Sequence, residues 1–235
     1  MDVLFGGSGD NGMLGDTWLL DQAVWSQQQP LNSPAPRSNA CMAFDAARSV
    51  TILFGGYIYA GGLNYLTSNE MWAWDGTNWE QFSPAILPPG RLGAKMVYDR
   101  AHQSMLLFGG GSGGALFDDT WLWNGTTWVE QHPLHNPSYR QAFGMAYDES
   151  RQQAILFGGQ SAGGMATDTW AWDGQDWQQL QPAQSPPAEV AYGAQLVYLP
   201  SLQSVTLYNA FRQKALNSNG GFTLIERSEV WALTD

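Results

Sequence analysis

Few residues in this chain have the types and spacing needed for acid–base or metal chemistry. The only histidines are His102, His132 and His135. His132 and His135 have a metal-like spacing, but a zinc site needs further ligands from cysteine, histidine or carboxylate side chains. The single cysteine, Cys41, excludes an internal disulfide. We therefore predict no catalytic residue, no metal site and no cofactor.

The elements that must position any functional side chain are set by an internal repeat. An apolar run that ends in Leu-Phe-Gly-Gly recurs with its first glycine at Gly6, Gly55, Gly109 and Gly158, and a degenerate copy follows at Val205–Ala210. A period of roughly 50 residues is typical of propeller-type repeats. The predicted repeat units cover residues 1–29, 37–82, 91–131, 140–181 and 191–235.

Each unit reads as four short strands, here called a to d. Strand a is an alternating run that usually ends in Asp, and strand b is the apolar run before the glycine pair, typical of a strand buried on both faces. Strand c carries an acidic residue two positions before a tryptophan, and strand d opens on a second tryptophan after a turn rich in Asp, Asn and Gly. The acidic residues are Asp16, Glu70, Asp119, Asp168 and Glu229, the strand-c tryptophans are Trp18, Trp72, Trp121, Trp170 and Trp231, and the strand-d tryptophans are Trp25, Trp79, Trp128 and Trp177.

Four antiparallel strands, a glycine pair after the second and paired tryptophans around a hairpin together resemble the kelch repeat of β-propellers. The resemblance covers essentially the whole chain and implies an all-β fold, with one domain over residues 1–235 and one blade per unit. Strands b and c occur five times but strands a and d four times. We predict five blades, of which the first and last are incomplete; the alternative is a fragment of a six- or seven-bladed propeller. A closed ring predicts a monomer, whereas a truncated ring could dimerise.

Candidate binding residues lie in the b–c and d–a connections, which emerge on one face of a blade. These connections are predicted to be long, irregular loops, whereas the remaining turns are short, and variable loops on a rigid frame commonly carry function. The longest is 211–228, and Gly109–Gly114 is interpreted as a flexible linker because it lacks the Lys-Ser/Thr of a phosphate-binding loop. Packing against a neighbouring blade is the competing interpretation for the tyrosines, and solvated surface for Arg212. The predicted ligand-binding residues are Tyr57, Tyr59, Tyr65, Phe117, Tyr139, Tyr192, Phe211, Arg212 and Phe222.

An arginine precedes strand a in three units, at Arg37, Arg91 and Arg140. The unit that follows them has Ala191 at the equivalent position. We interpret these arginines as structural residues that pair with the strand-c acids or stack on tryptophan and so link blades. A ring of arginines that binds an anion is the alternative.

Composition limits the classes of partner that we expect this chain to bind. The net charge of −11 disfavours nucleic acid and anionic lipid surfaces. No apolar run reaches the roughly 18 residues of a membrane-spanning helix, so no membrane insertion is expected. The first residues do not resemble a secretory leader, and the compartment stays open, with an extracellular or surface location among the options.

The kelch resemblance allows protein-binding modules, sugar-recognising domains and enzymes alike. Because the chain has few residues suited to catalysis, we predict a non-catalytic recognition module that binds a protein or a glycan through the b–c and d–a loop face. The alternative is a hydrolase or sugar-modifying enzyme at the channel mouth, where Asp118, Asp119 or Asp168 could supply a pair of carboxylates.

Overall fold

The computed structural model describes residues 2–61, 64–216 and 222–233, which form antiparallel β-sheets. One short 3₁₀ turn, Ala188–Val190, is the only helical element in these ranges. Within the same ranges no helix is long and apolar enough to cross a bilayer. The chain divides into two compact units, an amino-terminal unit of residues 1–132 and 138–141 and a carboxy-terminal unit of residues 133–137 and 142–235. The expectation of a single domain stays a prediction.

The described residues of the amino-terminal unit form sixteen strands. They form three sheets with the orders β1-β2-β3, β5-β6-β9-β10 and β11-β12-β15-β16, and two smaller sheets with the orders β4-β7-β8 and β13-β14. The strands are β1 Asp2–Gly9, β2 Gly12–Asp21, β3 Val24–Gln28, β4 Arg37–Ser38, β5 Cys41–Asp45, β6 Val50–Phe54, β7 Tyr57–Gly61, β8 Asn64–Thr67, β9 Met71–Trp74, β10 Trp79–Phe82, β11 Lys95–Asp99, β12 Ser104–Phe108, β13 Gly111–Ser112, β14 Ala115–Leu116, β15 Thr120–Trp123 and β16 Trp128–Gln131.

The carboxy-terminal unit repeats this pattern. Its sheets have the orders β17-β18-β21-β22, β23-β24-β25 and β19-β20. The strands are β17 Gly144–Asp148, β18 Gln153–Phe157, β19 Gln160–Ser161, β20 Gly164–Met165, β21 Thr169–Trp172, β22 Trp177–Leu180, β23 Gln195–Leu199, β24 Ser204–Leu216 and β25 Phe222–Ala232.

The three four-stranded sheets correspond to strands a, b, c and d of the second, third and fourth repeats. The first repeat supplies strands b, c and d, and the fifth supplies a, b and c, as the sequence predicts. The predicted all-β, antiparallel architecture is confirmed, and the sheets are compatible with the blades of a β-propeller. The number of blades in a ring stays a prediction.

The glycine pairs end strand b where the backbone turns with positive φ and the chain of the next repeat approaches closely. Gly55 and Gly56 have φ values of +74° and +93°. A Cβ on Gly55 would lie 2.6 Å from the carbonyl oxygen of Arg91, and the Gly56 N–H donates to that oxygen at 2.8 Å. Both requirements exclude a side chain at these positions.

The b–c connections differ from the expected irregular loops. They form paired hairpins in the described residues: β7 with β8, β13 with β14, β19 with β20, and the outer parts of β24 and β25. The expectation of a flexible linker at Gly109–Gly114 is wrong, because Gly111 and Ser112 pair with Leu116 and Ala115. The expectation of a long loop over 211–228 is likewise wrong for the described backbone. Strands β24 and β25 pair continuously from Thr206 opposite Ala232 to Leu216 opposite Phe222.

The core of the amino-terminal unit joins adjacent repeats through the strand-d tryptophans. Trp79 and Trp128 are completely buried. Each packs against the strand-b phenylalanine of the preceding repeat, with ring centroids 5.2 Å apart for Phe5 and Trp79 and 5.7 Å apart for Phe54 and Trp128. A strand d therefore stabilises its own sheet by pairing and the preceding sheet by inserting an indole ring.

Candidate functional site

The tyrosine hairpin, defined as β7 and β8 with Tyr57, Tyr59 and Tyr65, brings three of the predicted binding residues together. Tyr59 lies directly opposite Tyr65 across the strands, and Tyr57 is two positions before Tyr59, so all three side chains share one face. The Tyr57 and Tyr65 rings stack at a centroid distance of 5.2 Å and an interplanar angle of 10°, and Tyr59 meets Tyr65 at 5.4 Å. The three rings form one continuous aromatic surface.

This aromatic surface faces solvent. Tyr59 is 56% exposed and Tyr65 is 45% exposed, while Tyr57 is half-buried beneath them. Leu66, on the opposite face of the hairpin, is also exposed. A tyrosine can bury a large area at low entropic cost, because its side chain has only two rotatable bonds. The hairpin thus presents preordered apolar area with hydroxyl groups at its edge.

Two contacts hold the hairpin on the sheets below it. Strand β4 pairs with β7, with Arg37 opposite Ile58 and Ser38 opposite Tyr57. At the other end, the hydroxyls of Thr67 and Ser112 are 2.6 Å apart, a hydrogen bond that connects the tyrosine hairpin to β13 in the next repeat. The tyrosine hairpin is therefore supported along both of its strands.

The repeat arginines lie beneath these hairpins as buried side chains with several acceptors. Arg91 donates from Nε to the Pro89 carbonyl at 3.0 Å and from Nη1 to the Gly109 carbonyl at 3.0 Å. Its two terminal nitrogens bind Asp119 in a bidentate pair at 2.6 and 2.7 Å. Arg37 makes the equivalent bonds to Ala35, Gly55 and Glu70. Both side chains are 1% exposed or less.

The strand-c acids also accept from the tryptophans two positions later. The four described pairs are Asp16 with Trp18 at 2.5 Å, Glu70 with Trp72 at 3.2 Å, Asp119 with Trp121 at 2.8 Å, and Asp168 with Trp170 at 2.6 Å. In the fifth repeat the Glu229 side chain lies outside the described residues. Arginine, acid and tryptophan thus form one hydrogen-bonded chain in the second and third repeats, which fits a structural role.

Two competing effects act on the acid that pairs with Arg37. Burial of Glu70 opposes its ionisation, but hydrogen bonds from Arg37 and Trp72 outweigh burial and lower the pKa of Glu70 below its usual value. The arginine is buried and already paired with a carboxylate, and its neighbour Arg91 is in the same state. This arrangement offers no free guanidinium to an external anion in either repeat.

Arg140 is also buried, and donates from Nε to the Ser138 carbonyl at 2.9 Å. At the equivalent place the fifth unit has Ala191, whose carbonyl still accepts from the Gly159 N–H at 2.9 Å. The backbone part of the contact is therefore kept where the arginine side chain is lost.

The remaining predicted binding residues are not gathered around the tyrosine hairpin by any described contact. The guanidinium of Arg91 lies 4.4 Å from the centre of the Phe117 ring, so Phe117 covers the buried arginine. Tyr139 and Tyr192 are exposed, in the amino-terminal and the carboxy-terminal unit respectively. The backbones of Phe211, Arg212 and Phe222 lie in β24 and β25, and their side chains are outside the described residues.

His102 and His135 each contact an aspartate side chain through both the backbone N–H and the imidazole ring. The Asp99 carboxylate accepts from the His102 backbone at 3.1 Å and lies 2.8 Å from its Nδ1. His135 contacts Asp176 in the same way, at 2.9 and 2.8 Å. Burial raises the pKa of the Cys41 thiol to about 12. Within the described residues, no group of three or more Cys, His, Asp and Glu side chains is arranged to hold a metal ion.

Sequence reasoning missed a cavity in the carboxy-terminal unit. It has a volume of about 420 Å³ and lies between the sheets of the fourth and fifth repeats. Its wall includes Phe157, Thr169 and Trp231, which the sequence presents only as ordinary repeat positions. Because equivalent positions occur in every repeat, the sequence holds no separate signal for the cavity.

No model of a known protein family matches the chain. Among curated proteins, the chain is similar to "Putative adagio-like protein 2" of Oryza sativa subsp. japonica, with 34% identity over 117 residues. The match covers 46% of this chain and 17% of that protein, so the chain spans a small part of its relative's length. The all-β structure is compatible with a kelch-like fold.

Proposed function

We propose that this chain is a non-catalytic recognition module of the kelch-propeller type, which binds a protein partner through the tyrosine hairpin. The observation that carries the proposal is the ordered, exposed stack of Tyr57, Tyr59 and Tyr65. Tyrosine is enriched at the centres of protein interfaces and in hot spots, because its ring buries area while its hydroxyl finds a hydrogen-bond partner.

Preorganisation favours binding by this surface. The three rings contact one another without a partner present, so part of the side-chain entropy that binding would cost is already lost on folding. The hairpin is also supported by β4 and by the bond from Thr67 to Ser112. A partner would therefore meet a rigid aromatic surface.

The five repeats supply the frame in this proposal. Each repeat forms one blade, with three-stranded blades first and last, and the hairpins between strands b and c extend from one face of the ring. In that arrangement the tyrosine hairpin is the most aromatic of the described b–c hairpins. The hairpins of the next two repeats, β13–β14 and β19–β20, are shorter, with two residues in each strand.

The test uses peptides selected by display on the immobilised chain, with affinities then measured by interferometry. The Tyr59→Ser/Tyr65→Ser double variant should bind the selected peptides at least about tenfold more weakly, as expected for loss of two interface aromatics. Tyr208→Ser is the matched control, because Tyr208 is 52% exposed and lies on a different strand, β24. Selected peptides that bind the double variant with unchanged affinity would contradict the proposal.

A glycan array run with the same variants tests whether the ligand is a carbohydrate instead of a protein. Binding to a defined glycan that is lost in the double variant and kept in Tyr208→Ser would assign the same surface to a sugar and would overturn the protein partner. No binding to any glycan on the array, together with peptide binding, supports the proposal.

A further inference from the structure

The first of two similar grooves lies on the sheet of the second repeat and is called here the repeat-2 groove. Its wall consists of residues 31–33, which belong to a d–a connection, and of Trp72, Asp75 and residues 78–81 on the sheet. All of these residues are in the amino-terminal unit, and the sheet has its full four strands. The volume of about 740 Å³ is within the range of ligand-binding sites.

The repeat-4 groove has the same position on the sheet of the fourth repeat. Its wall consists of His135, from a d–a connection, and of Trp170, Asp173 and residues 176–179. These residues all belong to the carboxy-terminal unit, and this sheet is also four-stranded. The volume is about 480 Å³. Because the groove recurs at equivalent residues in two units, it is a product of the repeat itself.

One hydrogen bond bounds each groove in the same way. The backbone N–H of Asn32 donates to Oδ1 of Asn78 at 2.9 Å, and the backbone N–H of His135 donates to Oδ1 of Asp176 at 2.9 Å. Each bond ties the d–a connection to the last residue of the c–d turn. Both connections have the sequence Pro-Leu-X-X-Pro, at residues 30–34 and 133–137, and the leucine of each is almost fully exposed.

The tryptophan of each groove is partly exposed, whereas its equivalent in the third repeat is covered. Trp72 and Trp170 line their grooves, and the strand-c acid that binds each Nε1 fixes the edge of the ring. In the third repeat, Trp121 is only 7% exposed, and Leu87 of the d–a connection packs against the apolar cluster that contains it. The Pro-Leu-X-X-Pro connections keep their leucine in solvent and leave the indole accessible.

An amide lies beside each accessible indole. Gln81 is directly opposite Trp72 across β10 and β9, and Gln179 is directly opposite Trp170 across β22 and β21. Residues that are directly opposite in an antiparallel pair project from the same face of the sheet. Each groove therefore combines an aromatic ring with neighbouring hydrogen-bond donors and an acceptor.

The first residue of the c–d turn adds a carboxylate to each groove. Oδ1 of Asp75 accepts from the backbone N–H groups of Thr77 and Asn78 at 2.7 and 2.8 Å, and Asp173 accepts in the same way. The bonds from Asn78 and Thr77 lower the pKa of Asp75, which keeps it ionised at neutral pH. A carboxylate accepts on two oxygens, so capacity for a ligand is left. Among the described residues, neither wall includes a lysine or an arginine.

We propose that the two grooves bind neutral sugar residues, with the face of a pyranose ring stacked on Trp72 or Trp170 and its hydroxyls bonded to the neighbouring amide and carboxylate. A β-linked glucosyl unit fits best, because its equatorial hydroxyls leave only C–H groups on the ring faces, and the electron-rich indole face attracts them. Hydroxyls both donate and accept, which matches amide and carboxylate partners. The carboxylates and the net charge of −11 disfavour acidic sugars.

A cationic side chain is the competing ligand, since it would also use an indole ring and a carboxylate. Lysine and arginine side chains only donate hydrogen bonds, so the amide N–H groups of Gln81 and Gln179 would gain no acceptor from them. A sugar hydroxyl supplies that acceptor. The pairing of ring and amide in both grooves therefore favours the sugar.

The sugar sites share no residue with the tyrosine hairpin and do not depend on its proposed role. We expect dissociation constants in the millimolar range, because one ring and a few hydrogen bonds in an open groove form a small interface. Titration in solution at high sugar concentration detects such binding, whereas a washed array does not retain it.

The test is a titration of the full chain, carrying isotope-labelled tryptophan, with cellotetraose, a neutral β-linked glucose tetramer. Heteronuclear NMR follows the indole N–H resonances, which single Trp→Phe substitutions assign. We expect the resonances of Trp72 and Trp170 to shift and saturate, whereas that of the covered Trp121 stays unchanged. The absence of a saturable shift, or an equal shift at Trp121, would overturn the proposal.

Substitution of the exposed glutamines locates the binding. Gln81→Ala should weaken binding in its own groove about fivefold, as expected for one lost neutral hydrogen bond, and leave the other groove unchanged. Gln179→Ala should show the reverse. Glu130→Ala, at the equivalent position opposite Trp121, is the matched control and should alter neither groove. Unchanged affinity in both glutamine variants would contradict the proposed contacts.

Two further ligands and one variant complete the test. A galacturonic acid tetramer and acetylated arginine amide, both at physiological ionic strength, should bind more weakly than cellotetraose. Tighter binding of the arginine derivative would assign the grooves to a basic protein segment, and equal binding of the acidic sugar would refute the argument from charge. Tyr59→Ser/Tyr65→Ser should bind cellotetraose like the wild type; a loss would place the sugar on the tyrosine hairpin and overturn the two grooves.

Discussion

Arg91 contacts two repeats through different atoms. Its guanidinium binds Gly109 and Asp119 in its own repeat, and its carbonyl oxygen accepts from Gly56 in the preceding repeat. The residue therefore couples the end of one strand b to the strand-c acid of the next repeat. We propose that the three repeat arginines are structural residues, because all three are buried and the guanidinium groups of Arg37 and Arg91 are paired with carboxylates.

Replacing Arg91 should be costly. Arg91→Met leaves the partly buried Asp119 carboxylate without its bidentate partner, and the expected loss of unfolding free energy is about 3 kcal/mol. Chemical denaturation measures this loss. Arg100→Met, at an exposed arginine, should change stability by less than about 0.5 kcal/mol. Equal effects of the two substitutions would refute the structural assignment of Arg91.

Glu70 makes stability depend on pH in the acid range. Its pKa in the folded state is below the value of about 4.3 expected for an unfolded chain. The ionised form is therefore preferred by the folded state, so the contribution is complete above the unfolded pKa and is lost as pH falls through the folded pKa. The difference in unfolding free energy between the wild type and Glu70→Gln should shrink between pH 6 and about pH 3. A difference that stays constant over this interval would contradict the assignment.

Cys41 should be unreactive in the folded protein. The thiol is buried, and its pKa of about 12 leaves almost no thiolate at pH 8. We expect an aromatic disulfide reagent to react with Cys41 only after denaturant is added, at a rate that follows unfolding. Rapid stoichiometric reaction under native conditions would show that β5 opens more readily than its burial implies.

In the first four repeats, the end of strand b depends on the glycine pair. Positive φ alone disfavours a side chain, and the approach of the next repeat adds a second restriction at Gly55. The two effects can be separated within this chain, because Gly76 in a c–d turn has a φ of +103° and no atom within 4 Å of a Cβ position.

Gly55→Ala and Gly76→Ala form a matched pair. Both place alanine at positive φ, which costs about 1–2 kcal/mol. Gly55→Ala should cost at least about 2 kcal/mol more, because its Cβ would lie 2.6 Å from the Arg91 carbonyl oxygen and the contacting backbone must shift. Melting temperatures of the two variants measure the difference, and equal values would show that close approach is unimportant.

The strands could be predicted from the sequence, whereas the hairpins between them could not. Strands a to d show regular alternation or continuous apolar runs; strand b usually ends at a glycine pair, and strand c usually ends at an Asp- and Gly-rich turn. The hairpin strands β7 and β8 contain polar, glycine and tyrosine residues without such alternation. Their pairing depends on cross-strand contacts such as Tyr59 with Tyr65 and on support from β4, which are tertiary effects.

At the scale of the molecule, the repeat explains both the shared core and the exceptions to it. Trp79 and Trp128 fill the space between repeats in the amino-terminal unit, and the cavity lined by Phe157, Thr169 and Trp231 lies between repeats in the carboxy-terminal unit. The cavity could not be predicted from the sequence, because its wall combines Phe157 and Thr169 of the fourth repeat with Trp231 of the fifth. The repeat period predicts which residues are equivalent but not which of them enclose a cavity.

The proposed function depends on one surface of the amino-terminal unit. The chain has nine tyrosines, which can be labelled with fluorotyrosine and assigned by single Tyr→Phe substitutions. The measurement that tests the account most directly is the fluorine spectrum of the chain during titration with a display-selected peptide. We predict that the resonances of Tyr57, Tyr59 and Tyr65 shift and saturate together, with a dissociation constant equal to that from interferometry. Saturating shifts at Tyr192 or Tyr208 with the tyrosine hairpin unchanged would contradict it.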